Sequence, residues 1–188
     1  MRAAVIRQAR PDDASAVAGV HVRSFRVAFA GVVPQDYLDA MDPSRKESGW
    51  RAGIAETQWP QSGVLVAETE AGIVGFAGFG PSQETSSIAE IGSLYTLPEV
   101  WGTGVGKQLM LVTLTTLGQA DYAQATLWVL EANQRARRFY ESVGWHADGA
   151  VVEDATGGVA LDKLRYRRAL GRPGRGRCRQ HLGKPVDP

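Results

Sequence analysis

The stretch from Trp101 to Gln108 reads WGTGVGKQ, with Gly102, Gly104 and Gly106 at alternate positions and Lys107 behind them. Glycines let a backbone approach a bulky anion closely, and a helix starting there adds unpaired N–H groups and the positive end of its dipole. The guest this suggests is a phosphate or pyrophosphate, with Lys107 supplying charge. The nucleotide signatures are not met: a P-loop needs glycine at Trp101 and a hydroxyl residue at Gln108, and a dinucleotide fingerprint needs a glycine where Lys107 stands. A plain strand-to-helix turn is the competing reading. His21, His146 and His181 are scattered and Cys178 is the single cysteine, so no metal is expected and no internal disulfide can form.

The flanks decide what the glycines are for. SIAEIGSLYTL reads as a strand that Pro98 stops, and Leu109, Met110, Val112, Thr113, Leu114 and Leu117 repeat as an amphipathic helix that Gly118 is expected to end. Upstream, VIRQA is a short strand. Pro11-Asp12-Asp13 then opens a helix of about 15 residues through Val17, Val20, Ser24, Phe25 and Phe29, with Gly31 after it. Two further helical stretches follow, one through Tyr37, Leu38 and Met41 and one around Arg45 to Ile54. GVLVAET and GIVGFAGFG form a hairpin, ATLWVL is a buried strand, and NQRARRFYESVG is a short helix from Asn133 to Gly144. WHADGAVV and VALDKLRYRRAL are the last strands. The expected class is α/β, in one layered domain.

Bulk properties agree with that scale. A chain of 188 residues, 44% of them hydrophobic, fills one core and is short for two. No apolar run approaches the roughly 20 residues of a membrane span, and the N-terminus lacks the apolar core of a signal peptide, so a cytoplasmic protein is expected. The domain is expected over residues 1–170. Residues 171–188 carry five of the 21 basic residues and one of the 20 acidic ones, in a Gly/Pro-rich setting that predicts a disordered basic tail. Without aromatic interleaving, that tail is read as solvated, and nucleic acid is not an expected partner.

EIGSLYTLPEVWGTGVGKQLM resembles the acetyl-CoA-binding motif of the GNAT superfamily of N-acetyltransferases, where a strand, a proline and [RQ]-x-x-G-x-[GA] lead into a helix. Trp101 departs from the usual arginine or glutamine. LWVLEANQRARRFYESVGW is similar to the family's second motif, met by Asn133, Ala136, Phe139, Tyr140, Gly144 and Trp145. The likeness covers roughly residues 5–168. It implies a mixed, mostly antiparallel sheet of about seven strands flanked by about four helices.

The resemblance also implies roles. Gly102, Thr103, Gly104, Val105, Gly106 and Lys107 would hold the pyrophosphate of acetyl-CoA, and free backbone groups of Leu94, Tyr95 and Thr96 would pair with the pantetheine, one N–H serving as an oxyanion donor. Asn133 would contact the pantetheine arm beyond capping its helix. Tyr140, if it is more than core, would protonate the departing thiolate. Glu90 alternates with Gly92, Leu94 and Thr96, which sets it on one face with them as a candidate base; a solvated strand-end carboxylate is the competing reading. The acceptor is expected to be a small-molecule primary amine entering over Phe25, Phe29 and Tyr37, although Phe25 and Phe29 at i and i+4 also fit a core stripe. Relatives that acetylate ribosomal protein N-termini carry glutamate where this chain has Trp128, which counts against that substrate. A protein or peptide acetyltransferase, a non-catalytic acyl-CoA-binding module and a homodimer stay open.

Overall fold

The computed structural model describes residues 4–171. Strand β1 (Val5–Gln8) leads through a 3-10 turn at Pro11–Asp13 into helix α1 (Ala14–Ala28). The Asp13 carboxylate sets that corner: it accepts the Arg10 N–H at 2.7 Å and the Arg7 guanidinium at 2.7 Å, and this bonding holds its pKa below the usual carboxylate range. Helix α2 (Gln35–Asp39) is short. Helix α3 (Pro43–Ala55) is capped by Asp42, which accepts the Ser44 N–H at 2.9 Å. Then follow β2 (Gly63–Thr69), β3 (Gly72–Pro81), β4 (Ala89–Thr96), α4 (Val105–Gln119), β5 (Gln124–Leu130), α5 (Gln134–Ser142), β6 (His146–Thr156) and β7 (Val159–Ala169).

The seven strands form one sheet in the order β1-β2-β3-β4-β5-β7-β6. Every pairing is antiparallel except β4 with β5, as the α4 crossover between them requires. Alternation along the central strands sends side chains to two cores. Val64, Val66 and Phe76 meet Val17 and Val20 of α1 and Ile54 of α3 on one face. Leu65, Ala77, Phe79 and Ile91 meet Leu109, Met110 and Leu117 of α4, with Tyr140 of α5, on the other.

Gly118 does not end α4, contrary to the expectation from sequence. It lies inside the helix against the Gly171 carbonyl, and the chain turns at Asp121 instead, whose φ of 62° is left-handed. The last hairpin is longer than WHADGAVV suggested, because Gly157 and Gly158, at φ 61° and 78°, supply the two positive dihedrals of a tight turn at its far end. The basic tail from residue 172 onward, with Cys178 and His181, lies outside the described residues. Among the described residues no helix is long and apolar enough to cross a membrane.

Candidate active site

Strands β4 and β5 are in register only at Ala89–Ala125 and Glu90–Thr126, and beyond that they part. The cause lies in β4. Ser93 pairs with Gly78 and Ile91 with Phe79, so Gly92 is an extra residue, a bulge. The bulge also re-phases the strand. Leu94 packs with Ile91 on the α4 face, so the expected alternation of Glu90 with Leu94 and Thr96 fails, and Glu90 lies on the other face. Past the bulge the Leu97 N–H donates to Val74 at 2.8 Å, and ladder alternation turns the groups of Tyr95 toward β3 and those of Leu94 and Thr96 toward the gap. The Thr96 carbonyl is already engaged, by Ser24 Oγ at 2.9 Å and Trp101 Nε1 at 2.9 Å.

A cavity of about 440 Å³ fills the gap. One end is the glycine run, where Gly102 and Gly104 take φ of 75° and 93°, conformations that favour glycine, and α4 begins at Val105. Gly102, Gly104, Gly106 and Lys107 line it, with Leu94, Tyr95 and Thr96 along one wall and Asn133 and Tyr140 along the other. Thr103 and Val105 turn away: the Thr103 hydroxyl donates to Val100 at 2.7 Å and Val105 packs in the α1 core. Asn133 Oδ1 accepts the Ala136 N–H at 3.0 Å, which caps α5. Its amide nitrogen stays available to the cavity.

Tyr140 is 8% exposed, and burial raises its pKa well above that of an ordinary phenol. The nearby Tyr95 phenol adds to the rise and the Arg135 guanidinium opposes it. Burial alone pushes Tyr95 up to about 12. Glu90 is half-buried outside the cavity wall; burial and then the Glu84 carboxylate raise its pKa, while a Ser82 hydrogen bond opposes. Glu84 is tied to β7 by an ion pair with Arg165, whose Nε also meets Asp148 at 2.8 Å.

At the α1 end the cavity is lined by Ser24, Ala28, Phe29 and, from β5, Trp128. Of the three aromatic residues expected there, only Phe29 reaches it. Phe25 stacks behind Phe29 with ring centroids 3.9 Å apart. Tyr37 is held against the β6–β7 turn, where a Cβ on Gly157 would come within 2.9 Å of its ring. Sequence reasoning missed His21, which accepts the Trp50 indole N–H at 3.3 Å and stacks on Tyr95 at 5.0 Å; burial, and then Lys46, take its pKa down to about 4, so it is neutral at physiological pH. It also missed Arg135, whose position in the first turn of a helix was the available signal.

Residues 33–145 match the sequence model of the acetyltransferase (GNAT) family. The chain belongs to that family. The acetyltransferase is 32% identical over 131 residues to the uncharacterized N-acetyltransferase YuaI of Bacillus subtilis, covering 68% of this chain and 72% of that protein. It is 29% identical to the probable N-acetyltransferase Rv2775 of Mycobacterium tuberculosis, over 86% and 91% of the two chains. Its fold is shared with the paia N-acetyltransferase of Thermoplasma acidophilum, solved with coenzyme A, at a TM-score of 0.72, 19% identity and 89% and 99% coverage. The acetyltransferase yncA of Salmonella typhimurium, solved with acetyl-CoA, superposes at 0.68 with 19% identity over 90% and 95%. The acetyltransferase therefore has the fold that the two motifs implied, with, among the described residues, seven strands and five α-helices in place of about four.

Proposed function

We propose that the acetyltransferase moves acetyl from acetyl-CoA to the primary amine of a small molecule by direct attack in a ternary complex. The observation that carries this reading is the continuity of one cavity, from the glycine run at the α4 N-terminus, past the gap-facing groups of Leu94, to Tyr140 and on to Phe29. The walls fit the co-substrate: a positive, glycine-lined end for the diphosphate, then a slot between Leu94 and Thr96 on one side and Asn133 and Phe139 on the other for the arm. Two structural neighbours were solved with coenzyme A or acetyl-CoA bound, which supports the same occupant here.

Transfer requires a C–N bond to form, the C–S bond to break, one proton to leave nitrogen and one to reach sulfur. The Leu94 N–H is placed to meet charge developing on the carbonyl oxygen. Tyr140 supplies the proton to sulfur. Glu90, standing off the cavity wall, takes the amine proton through water. Its raised pKa suits a base.

The pH dependence follows from the sign of that shift. A base works when deprotonated, so kcat/KM falls as pH drops through the Glu90 pKa, which burial and then the Glu84 carboxylate raise above that of an ordinary glutamate. With an acceptor whose amine is already neutral, Glu90→Gln is expected to cost roughly 10²-fold in rate and to abolish this acidic limb. A limb that persists in the variant would remove Glu90 from the mechanism.

The test of the whole reading is thiol release from acetyl-CoA in the presence of polyamines, aminoglycosides, amino acids, simple amines and peptides. Release with a small amine supports it, and release only with peptides overturns the acceptor class. With an accepted amine, Phe29→Ala is expected to raise acceptor KM by about tenfold at unchanged melting temperature, the usual size for loss of a contact of about 1.4 kcal/mol. An unchanged KM would place the acceptor elsewhere.

A further inference from the structure

Among the described residues two positive side chains and no carboxylate line the cavity, Lys107 from α4 and Arg135 from α5. Arg135 is the second residue of its helix, where the dipole disfavours a cation. Its guanidinium lies over the Trp101 indole, 3.1 Å from the ring centroid, and burial draws its pKa down. Among the described residues it makes no ion pair. Trp101 is itself fixed through its bond to the Thr96 carbonyl. The stack thus joins the two walls of the cavity at the start of the glycine run, on the side facing the α4 N-terminus.

An exposed cation at the cavity wall, set against a helix dipole and stacked on an aromatic face without a carboxylate partner among the described residues, is an arrangement that an incoming anion relieves. We propose that Arg135 is a ligand of the coenzyme diphosphate, acting from α5 opposite the backbone N–H groups of residues 102–107. The inference rests on the reading that acetyl-CoA occupies this cavity. The planar guanidinium offers two parallel N–H donors to phosphate oxygens, and Trp101 holds it at the correct end of the cavity until they arrive. Its contact with the first residue of the glycine run assigns it to the diphosphate, because the arm beyond is uncharged.

Binding of coenzyme A, dephospho-coenzyme A and pantetheine to the wild type, Arg135→Ala and Arg135→Lys separates the possibilities. Wild type that fails to bind coenzyme A overturns the underlying reading. Given wild-type binding, Arg135→Ala is expected to weaken coenzyme A and its dephospho form alike by about tenfold, as for one charged hydrogen-bonding contact, with pantetheine affinity and melting temperature unchanged. Lysine should restore only part of the loss, since it lacks the fork. Unchanged coenzyme A affinity overturns the assignment. So does a loss confined to coenzyme A, which would place Arg135 at the 3′-phosphate, and so does an equal loss for pantetheine, which would make it a wall of the slot.

Discussion

Replacing Tyr140 with phenylalanine is expected to lower kcat by about 10²-fold while acetyl-CoA affinity and melting temperature stay as in the wild type. The ring is what the fold uses. Phe139, Trp145 and Tyr166 approach it with centroids at 5.4, 6.3 and 6.2 Å, and phenylalanine keeps all three contacts. The hydroxyl is what the proposed reaction uses. Burial, then the neighbouring Tyr95, hold the phenol protonated across the neutral range, so it can donate and cannot serve as a base there. Two decades correspond to about 2.7 kcal/mol of transition-state stabilisation. Stopped or steady-state turnover with an accepted amine decides the matter: a kcat within twofold of wild type would leave Tyr140 a core residue.

Gly104→Asp is expected to lower acetyl-CoA affinity by about 10- to 10²-fold in a protein that still folds, since a lost or opposed charge contact at a phosphate is worth about 1.5–3 kcal/mol. Space is not the obstacle, because a Cβ at Gly104 meets no atom within 4 Å. The φ of 93° costs a non-glycine residue of the order of 1–2 kcal/mol. The carboxylate then stands where the proposed reading puts the diphosphate. Gly104→Asn shares the shape without the charge and separates the two effects by titration. If the folded aspartate variant binds acetyl-CoA like the wild type, the anion lies elsewhere.

The two motifs were legible in the sequence because each is a local device. Glycines at alternate positions before a helix, or an asparagine three residues ahead of Ala136, act through their own backbone. Contacts made across the chain were not legible. Tyr37 was expected beside Phe29, yet its place is set by the Gly157 turn far downstream. Glu90 was expected on the face of Leu94, but a bulge leaves the apolar pattern of a strand intact while shifting its phase, so Gly92 hid the change. Trp101 looked like a defect in a motif. Its indole bonds the Thr96 carbonyl and carries Arg135, a role that depends on a helix beginning beyond the next strand.

The short pairing of β4 with β5 means that this sheet has three borders: β1, β6 and one in its interior. Open borders are where β-proteins recruit other chains, and they are usually blunted by charge, proline or a covering segment. This inner border is protected by access. A peptide strand brings side chains on both faces and meets Ser24 of α1 and Phe29 just past its end on one side, and Phe139 and Tyr140 on the other. On the proposed reading, a slender amide-bearing arm passes between them where a peptide would not. On that reading, the same narrowness that hinders strand addition at this border selects for a slender guest.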